Sequence, residues 1–271
     1  RIIARPEDTP EELYLAACAL LLPTRTLSDR EAAPRLQRLV DVLERAQNGS
    51  LARSPEQGEL SYLDASIAFA LGLCYERTGD ASAALRTYSA ALERHPRASK
   101  LLVARGLTLY LQNKQPESLR DFLSAVRLGA KSIWPWHILA RHALIEGAYG
   151  NALRYALQAA ERAGPTQTLA EVYETIAIAL AKLGQPQDRV LENFNKAVEL
   201  DPENPRLRRN REQALSRQTY VRTSRDWRRD LTVDRVDPST VRQYRRQEVA
   251  SQLSIVGEQR DVRISNGLIA V

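Results

Sequence analysis

The chain has 271 residues, of which 44% are hydrophobic and 27% charged, a balance that supports a packed core and excludes disorder of the whole chain. Its net charge of +6 sets 39 basic residues against 33 acids, and 34 of the basic residues are arginines, a skew in usage that is not by itself a nucleic-acid signal. No run of about 18 apolar residues occurs, so no membrane-spanning helix is expected, and the two cysteines, Cys18 and Cys74, offer neither a disulfide framework nor metal spacing.

Thr9-Pro10-Glu11-Glu12 has the form of a capping box with proline at the first helical position, and predicts a helix from about residue 10 to Leu22. Leu15-Ala16-Ala17-Cys18 within it resembles a lipoprotein cleavage box, but acidic residues precede it where a basic, apolar leader is needed. A second box, Ser28-Asp29-Arg30-Glu31, opens a helix carrying Leu36, Leu39, Val40 and Leu43 at helical spacing, with Asn48-Gly49 as the expected stop. The two helices should form an antiparallel pair, followed by a polar loop from Ser50 to Glu59.

From Ala65 the chain repeats itself every 34 residues. Gly72, Tyr75, Gly79, Ala84, Tyr88, Ala91 and Pro96 are matched by Gly106, Leu109, Asn113, Ser118, Phe122, Ala125 and Ala130, then by Ala140, Ala143, Gly147, Ala152, Ala156, Ala159 and Gly164. A fourth unit with Tyr173, Ile176, Ala177, Leu180, Phe194 and Ala197 ends in Asp201-Pro202-Glu203-Asn204-Pro205, and fits with three extra residues before it and one in its turn. Over residues 65–204 this pattern resembles the tetratricopeptide-repeat (TPR) family. The resemblance implies an all-α TPR helical solenoid of αα-hairpin repeats. Ala156 stands where the family has an aromatic residue, Arg105 where leucine is common and Val190 where alanine is usual.

The expected organisation is an N-terminal helical pair and loop over 1–60, four TPR units over 61–204, a capping helix over 205–218 and an arginine-rich extension over 219–271. Between residues 205 and 246 there are 13 arginines and five acids, interleaved with Tyr220, Trp227 and Tyr244. The end, with Asn266-Gly267 between short apolar runs at 262–269, carries a β-hairpin signal. Residues 247–271 are apolar enough that docking on the repeats or on a partner is expected.

Sequence motifs point away from catalysis. His95, His137 and His142 lack the spacing of a zinc site, and Gly129-Ala130-Lys131-Ser132 lacks the upstream glycine of a phosphate loop, so Ser132 is read as a helix cap. No nucleophile elbow and no dinucleotide fingerprint is present. The chain is therefore read as a non-enzyme with no metal and no cofactor.

The family resemblance implies a protein-binding groove formed by the first helix of each repeat. Carried onto this chain, the groove positions are Phe69, Leu73, Lys100, Val103, Leu107, Tyr110, Trp134, His137 and Arg141. Family members that clamp an acidic C-terminus use polar residues at fixed places; here Phe69, Leu73, Ala104, Trp134 and Ile138 stand there, so that clamp is not expected. The expected ligand is an apolar peptide or helix of another protein within a larger assembly, or the chain's own C-terminal segment. The alternative is RNA or an acidic surface bound through 205–246, with Arg222, Arg225, Trp227, Arg228 and Arg229 as contacts; nucleic acid is the less favoured partner. A cytoplasmic setting is expected, with an exported form left open.

Overall fold

The computed structural model describes residues 9–21, 29–52, 58–162, 167–219, 231 and 233–242. Among these residues the regular elements are helices: α1 (Pro10–Leu21), α2 (Asp29–Leu51), α3 (Gly58–Thr78), α4 (Ala81–Arg94), α5 (Ser99–Leu111), α6 (Gln115–Arg127), α7 (Ile133–Ile145), α8 (Tyr149–Arg162), α9 (Gln167–Lys182), α10 (Gln187–Leu200) and α11 (Pro205–Thr219). None of them is long and apolar enough to cross a membrane. The chain divides into two compact units, Arg1–Asp121 with Pro238–Val271, and Phe122–Asp237, so that the division falls inside α6. The candidate hairpin and the apolar stretch 247–271 lie outside the described residues.

In the first unit, α1 starts as its capping box dictates. The Thr9 N–H donates to Glu12 Oε2 at 2.7 Å and the Glu12 N–H donates back to Thr9 Oγ1 at 3.3 Å. α2 departs from expectation by running through Asn48-Gly49 to Leu51. The reason is packing against α1: a Cβ on Gly49 would lie 2.9 Å from Pro10 Cγ, so this glycine admits a neighbouring helix instead of ending its own. α3 begins at Gly58, inside the stretch expected to be loop and ahead of the first repeat position at Ala65.

Small residues in the repeats mark close helix approach. A Cβ on Gly72 of α3 would sit 2.2 Å from Tyr88 Cε1 of α4, so only glycine lets that ring lie flat on the helix. The Tyr88 hydroxyl then donates to Glu76 Oε1 at 2.9 Å, and Thr108 Oγ1 of α5 donates to the same oxygen at 2.6 Å, tying three successive helices. On the other side of α3, the Tyr75 hydroxyl donates to Glu44 of α2, and burial with this bond pushes its pKa far above the usual phenol range. Asp64 of α3 accepts from Arg94 Nε at 3.0 Å and lies 2.7 Å from His95 Nε2, closing the far end of the hairpin.

Arg105, in a leucine position, is accommodated by a partner one helix away. Its Nε and Nη2 donate to the two oxygens of Asp121 at 2.8 and 2.7 Å, and its Nη1 donates to Ser89 Oγ at 3.2 Å. The hydrogen bond to Asp121 raises its pKa further, so the charge is held.

In the second unit, Ser132 caps α7 as expected, accepting from the Trp134 N–H. The Ala130 carbonyl ahead of it accepts from Trp136 Nε1 at 2.9 Å and anchors that indole. Asn204 Oδ1 accepts from the Arg206 N–H at 3.2 Å and opens α11. Leu207 of α11 packs with Ala170 and Ala197, and Tyr173, Val198 and Leu200 pack against that cluster.

Two independent markers share the repeat register. Ala91, Ala125, Ala159 and Ala197 are all fully buried. Gly79, Asn113, Gly147 and Gly184 all turn the chain with positive φ, at steps of 34, 34 and 37 residues. Asn113, at φ 60°, is the non-glycine residue in that series. The longer last step matches the three extra residues read ahead of the fourth unit.

Candidate functional site

In the second unit, α7, α9 and α11 carry buried charges where an all-apolar face would be the default. Residues about one repeat apart meet. His137 Nε2 lies 3.1 Å from Glu171 Oε2, and Arg141 Nη1 donates to Glu174 Oε2 at 3.1 Å. The other oxygen of Glu174, Oε1, accepts from Arg206 Nε at 3.0 Å and from Asn210 Nδ2 at 2.9 Å. Arg206 Nη2 reaches Glu171 Oε1 at 3.5 Å. Two arginines therefore face two glutamates, and the four charges balance. Such a cluster survives burial because each ion keeps a partner of opposite sign.

A separate length of chain lies on this cluster. Arg141 Nε donates to the backbone carbonyl of Asp234 at 2.7 Å, and Arg206 Nη1 donates to Asp234 Oδ2 at 3.1 Å. Residues 233–237 have no regular secondary structure, and Leu231 and Val236 on either side of Asp234 are 5% and 2% exposed. Two arginine donors lack a hydrogen bond, Arg206 Nη2, which has only the 3.5 Å ion-pair approach to Glu171, and one on Arg141. Arg141 Nη2, on the same edge of the guanidinium as Nε, is buried without a hydrogen-bond partner, as is His137 Nδ1.

Burial pushes His137 below its ordinary pKa despite the nearby glutamates, so the imidazole is neutral at pH 7 and its Nε2–H donates a hydrogen bond to Glu171. The bare Nδ1 fits that state, since a second ring proton would have no acceptor. Burial opposes ionisation of Glu171, but its bond to His137 and the charges of Arg141 and Arg206 outweigh burial and hold its carboxyl at about 2.

No protein-family model and no curated protein matches the chain. Similar solved structures include MamA of MSR-1, at 18% identity and a TM-score of 0.43 over 68% of this chain and 98% of that one. They also include YrrB, described as a TPR protein with an unusual peptide-binding site, at 19% identity and a TM-score of 0.42 over 75% of this chain and all of that one. TTC0263, a TPR protein of Thermus thermophilus, is similar at 17% identity and a TM-score of 0.41 over 77% of this chain and all of that one. Within this chain, the buried alanines and positive-φ turns recur in the 34-residue register of helix pairs. The fold is that of a tetratricopeptide-repeat solenoid.

Against that fold, the structure places the nine expected groove residues on the first helices but buries eight of them; Lys100 alone is open to water. In the first unit Phe69, Leu73, Val103, Leu107 and Tyr110 are buried, and the Lys100 ammonium sits 4.1 Å from the centre of the Phe69 ring. In the second unit Trp134, His137 and Arg141 are buried, with Arg141 held by Glu174 and by the carbonyl of Asp234. Arg222, Arg225, Trp227, Arg228 and Arg229 lie outside the described residues. Among the described basic residues of the segment 205–246, Arg206 is committed to Glu171, Glu174 and Asp234, and Arg211 Nε donates to Asn195 Oδ1 at 2.7 Å.

Glu171, Glu174, Arg206, Asn210 and Asp234 were not among the residues singled out from sequence. A signal existed: the repeat register sets Glu171 one period beyond His137, and Glu174 nearly one period beyond Arg141. Stacked first helices bring such positions side by side.

Proposed function

We propose that the chain is a non-catalytic scaffold that holds another polypeptide on the first-helix faces of its repeats. The observation that carries this reading is the seating of Asp234, between the buried Leu231 and Val236, on α7 and α11 through its backbone carbonyl and its carboxylate. A face that accommodates irregular chain by hydrogen bonds to its backbone is suited to polypeptide ligands in general. The ionisable groups there are spent on one another: both arginines pair with glutamates, and His137 is neutral and fully enclosed. That arrangement positions a ligand and leaves no group poised for proton transfer to a substrate.

Affinity capture from native extract with the full-length chain tests the reading. After nuclease treatment and washing at about 0.5 M salt, a defined set of proteins should remain bound, because contacts that rely on buried surface resist salt whereas phosphate contacts do not. Recovery of nucleic acid alone, lost on washing, would contradict it and favour the arginine-rich extension as the binding element.

A further inference from the structure

The way residues 231–237 occupy the α7–α9–α11 cluster does not use all that the cluster offers. Nε and Nη2 of an arginine lie on one edge of the guanidinium and point in parallel, a fork that matches the two oxygens of a carboxylate. At Arg141 that edge meets a single acceptor, the Asp234 carbonyl at 2.7 Å from Nε, while Nη2 is buried and unmatched. The opposite side of the group is taken by Glu174 through Nη1. A buried donor without an acceptor is costly, so the segment fills the place imperfectly.

The segment is also dispensable to the charge balance. Arg141 and Arg206 already face Glu174 and Glu171, and the Asp234 carboxylate that the segment adds is 76% exposed. Its removal would return two apolar side chains, Leu231 and Val236, to water and would leave Arg141 and Arg206 still facing Glu174 and Glu171. Eleven residues separate the end of α11 at Thr219 from Leu231, so the segment stays at high local concentration whether or not it is the best ligand.

We propose that residues 231–237 are a resident occupant of a carboxylate-reading site, and that the site's ligand in trans is an irregular or extended polypeptide segment with an acidic side chain between apolar residues. In the complex that carboxylate takes Nε and Nη2 of Arg141 together, and Arg206 supports it from α11. The incoming segment displaces residues 231–237, so the chain is self-inhibited until a partner of this type arrives. This rests on the scaffold reading and names the chemistry of the partner.

The test uses the full chain and two fluorescein-labelled peptides: one with the chain's own sequence over residues 229–239, and one with its three aspartates changed to asparagine. Anisotropy titrations compare the wild type with the double variant Leu231→Ser/Val236→Ser, in which the resident segment loses its buried anchors. The acidic peptide should bind the double variant at least ten-fold tighter than the wild type, and at least ten-fold tighter than the asparagine peptide binds it. Adding Arg141→Lys, which keeps the charge facing Glu174 and removes the fork, should weaken the acidic peptide by ten-fold or more. Equal affinity for both peptides, or equal affinity in wild type and double variant, overturns the proposal. So does loss of helical circular dichroism in the double variant, since the segment would then be part of the core. If both peptides fail while specific proteins are still captured from extract, this site falls and the scaffold reading stands.

Discussion

The first helices of the two units solve the same packing problem with different chemistry. In the first unit, α3 and α5 present Phe69, Leu73, Val103 and Leu107, all buried, and the ion pairs lie beside that face: Arg105 with Asp121 joins α5 to α6, and Asp64 with Arg94 joins α3 to α4. In the second unit, α7, α9 and α11 bury Arg141, Glu174, His137 and Asn210 and hold residues 231–237 upon them. The repeat supplies the same backbone positions in both. What the comparison teaches is that register alone does not decide whether a face is closed by apolar contact or by a polar network, and that a network of charged hydrogen bonds leaves directional groups to which a separate chain can bind.

The largest expected effect breaks that network. Glu174→Ala leaves Arg141 and Arg206 facing each other across a buried gap and should cost about 3–5 kcal/mol. Asp121→Ala in the first unit frees an arginine whose side chain is 26% exposed, and should cost roughly 1–2 kcal/mol because water can replace the lost acceptor. Thermal denaturation of the two variants measures both, and equal shifts would contradict the distinction between the units.

Packing, by contrast, should be alike in the two units. Ala91 and Ala125 are both fully buried at the same place in successive second helices. Replacing either by leucine should overpack a helix contact and lower stability by about 1–3 kcal/mol. An unchanged melting midpoint for either would show that the register is misaligned there.

A smaller effect separates the units by pH. His137 has a folded pKa below its ordinary value of 6.5, so the unfolded chain takes up a proton that the folded second unit refuses. Stability from this group is complete above about 6.5 and is lost as pH falls below it. The depressed carboxyl of Glu171 extends the same trend from its ordinary 4.5 down towards 2. The melting midpoint should therefore fall between pH 7.5 and 5, and His137→Gln, which still donates to Glu171, should flatten that slope. Asn113→Gly is the smallest change: relieving a positive φ of 60° in the first unit should stabilise by up to about 1 kcal/mol, read from the same melts.

Much of the fold was legible because it depends on local chemistry. The Thr9–Glu12 box, the Ser132 cap and the Asp201–Pro205 turn are short-range patterns, and the buried alanines recur because every hairpin must close at the same distance. Gly49 was misread because a glycine that stops a helix and one that admits a neighbour look identical until the neighbour is placed. The site was harder to read. The family resemblance put His137 and Arg141 on one groove face, but not that Glu171 and Glu174 would pair with them and share those partners with Arg206. Residues 231–237 were hidden for a deeper reason, since the bond from Arg141 goes to a backbone carbonyl, a group present in every residue.

Hydrogen–deuterium exchange of the full chain, alone and saturated with a peptide of residues 229–239, tests most directly that this face binds polypeptide and holds its own segment meanwhile. The account predicts faster exchange across residues 231–237 on peptide binding, with the amides of α7, α9 and α11 as protected as before. Unchanged exchange of residues 231–237 at saturating peptide, or a loss of protection that spreads through those helices, would contradict it.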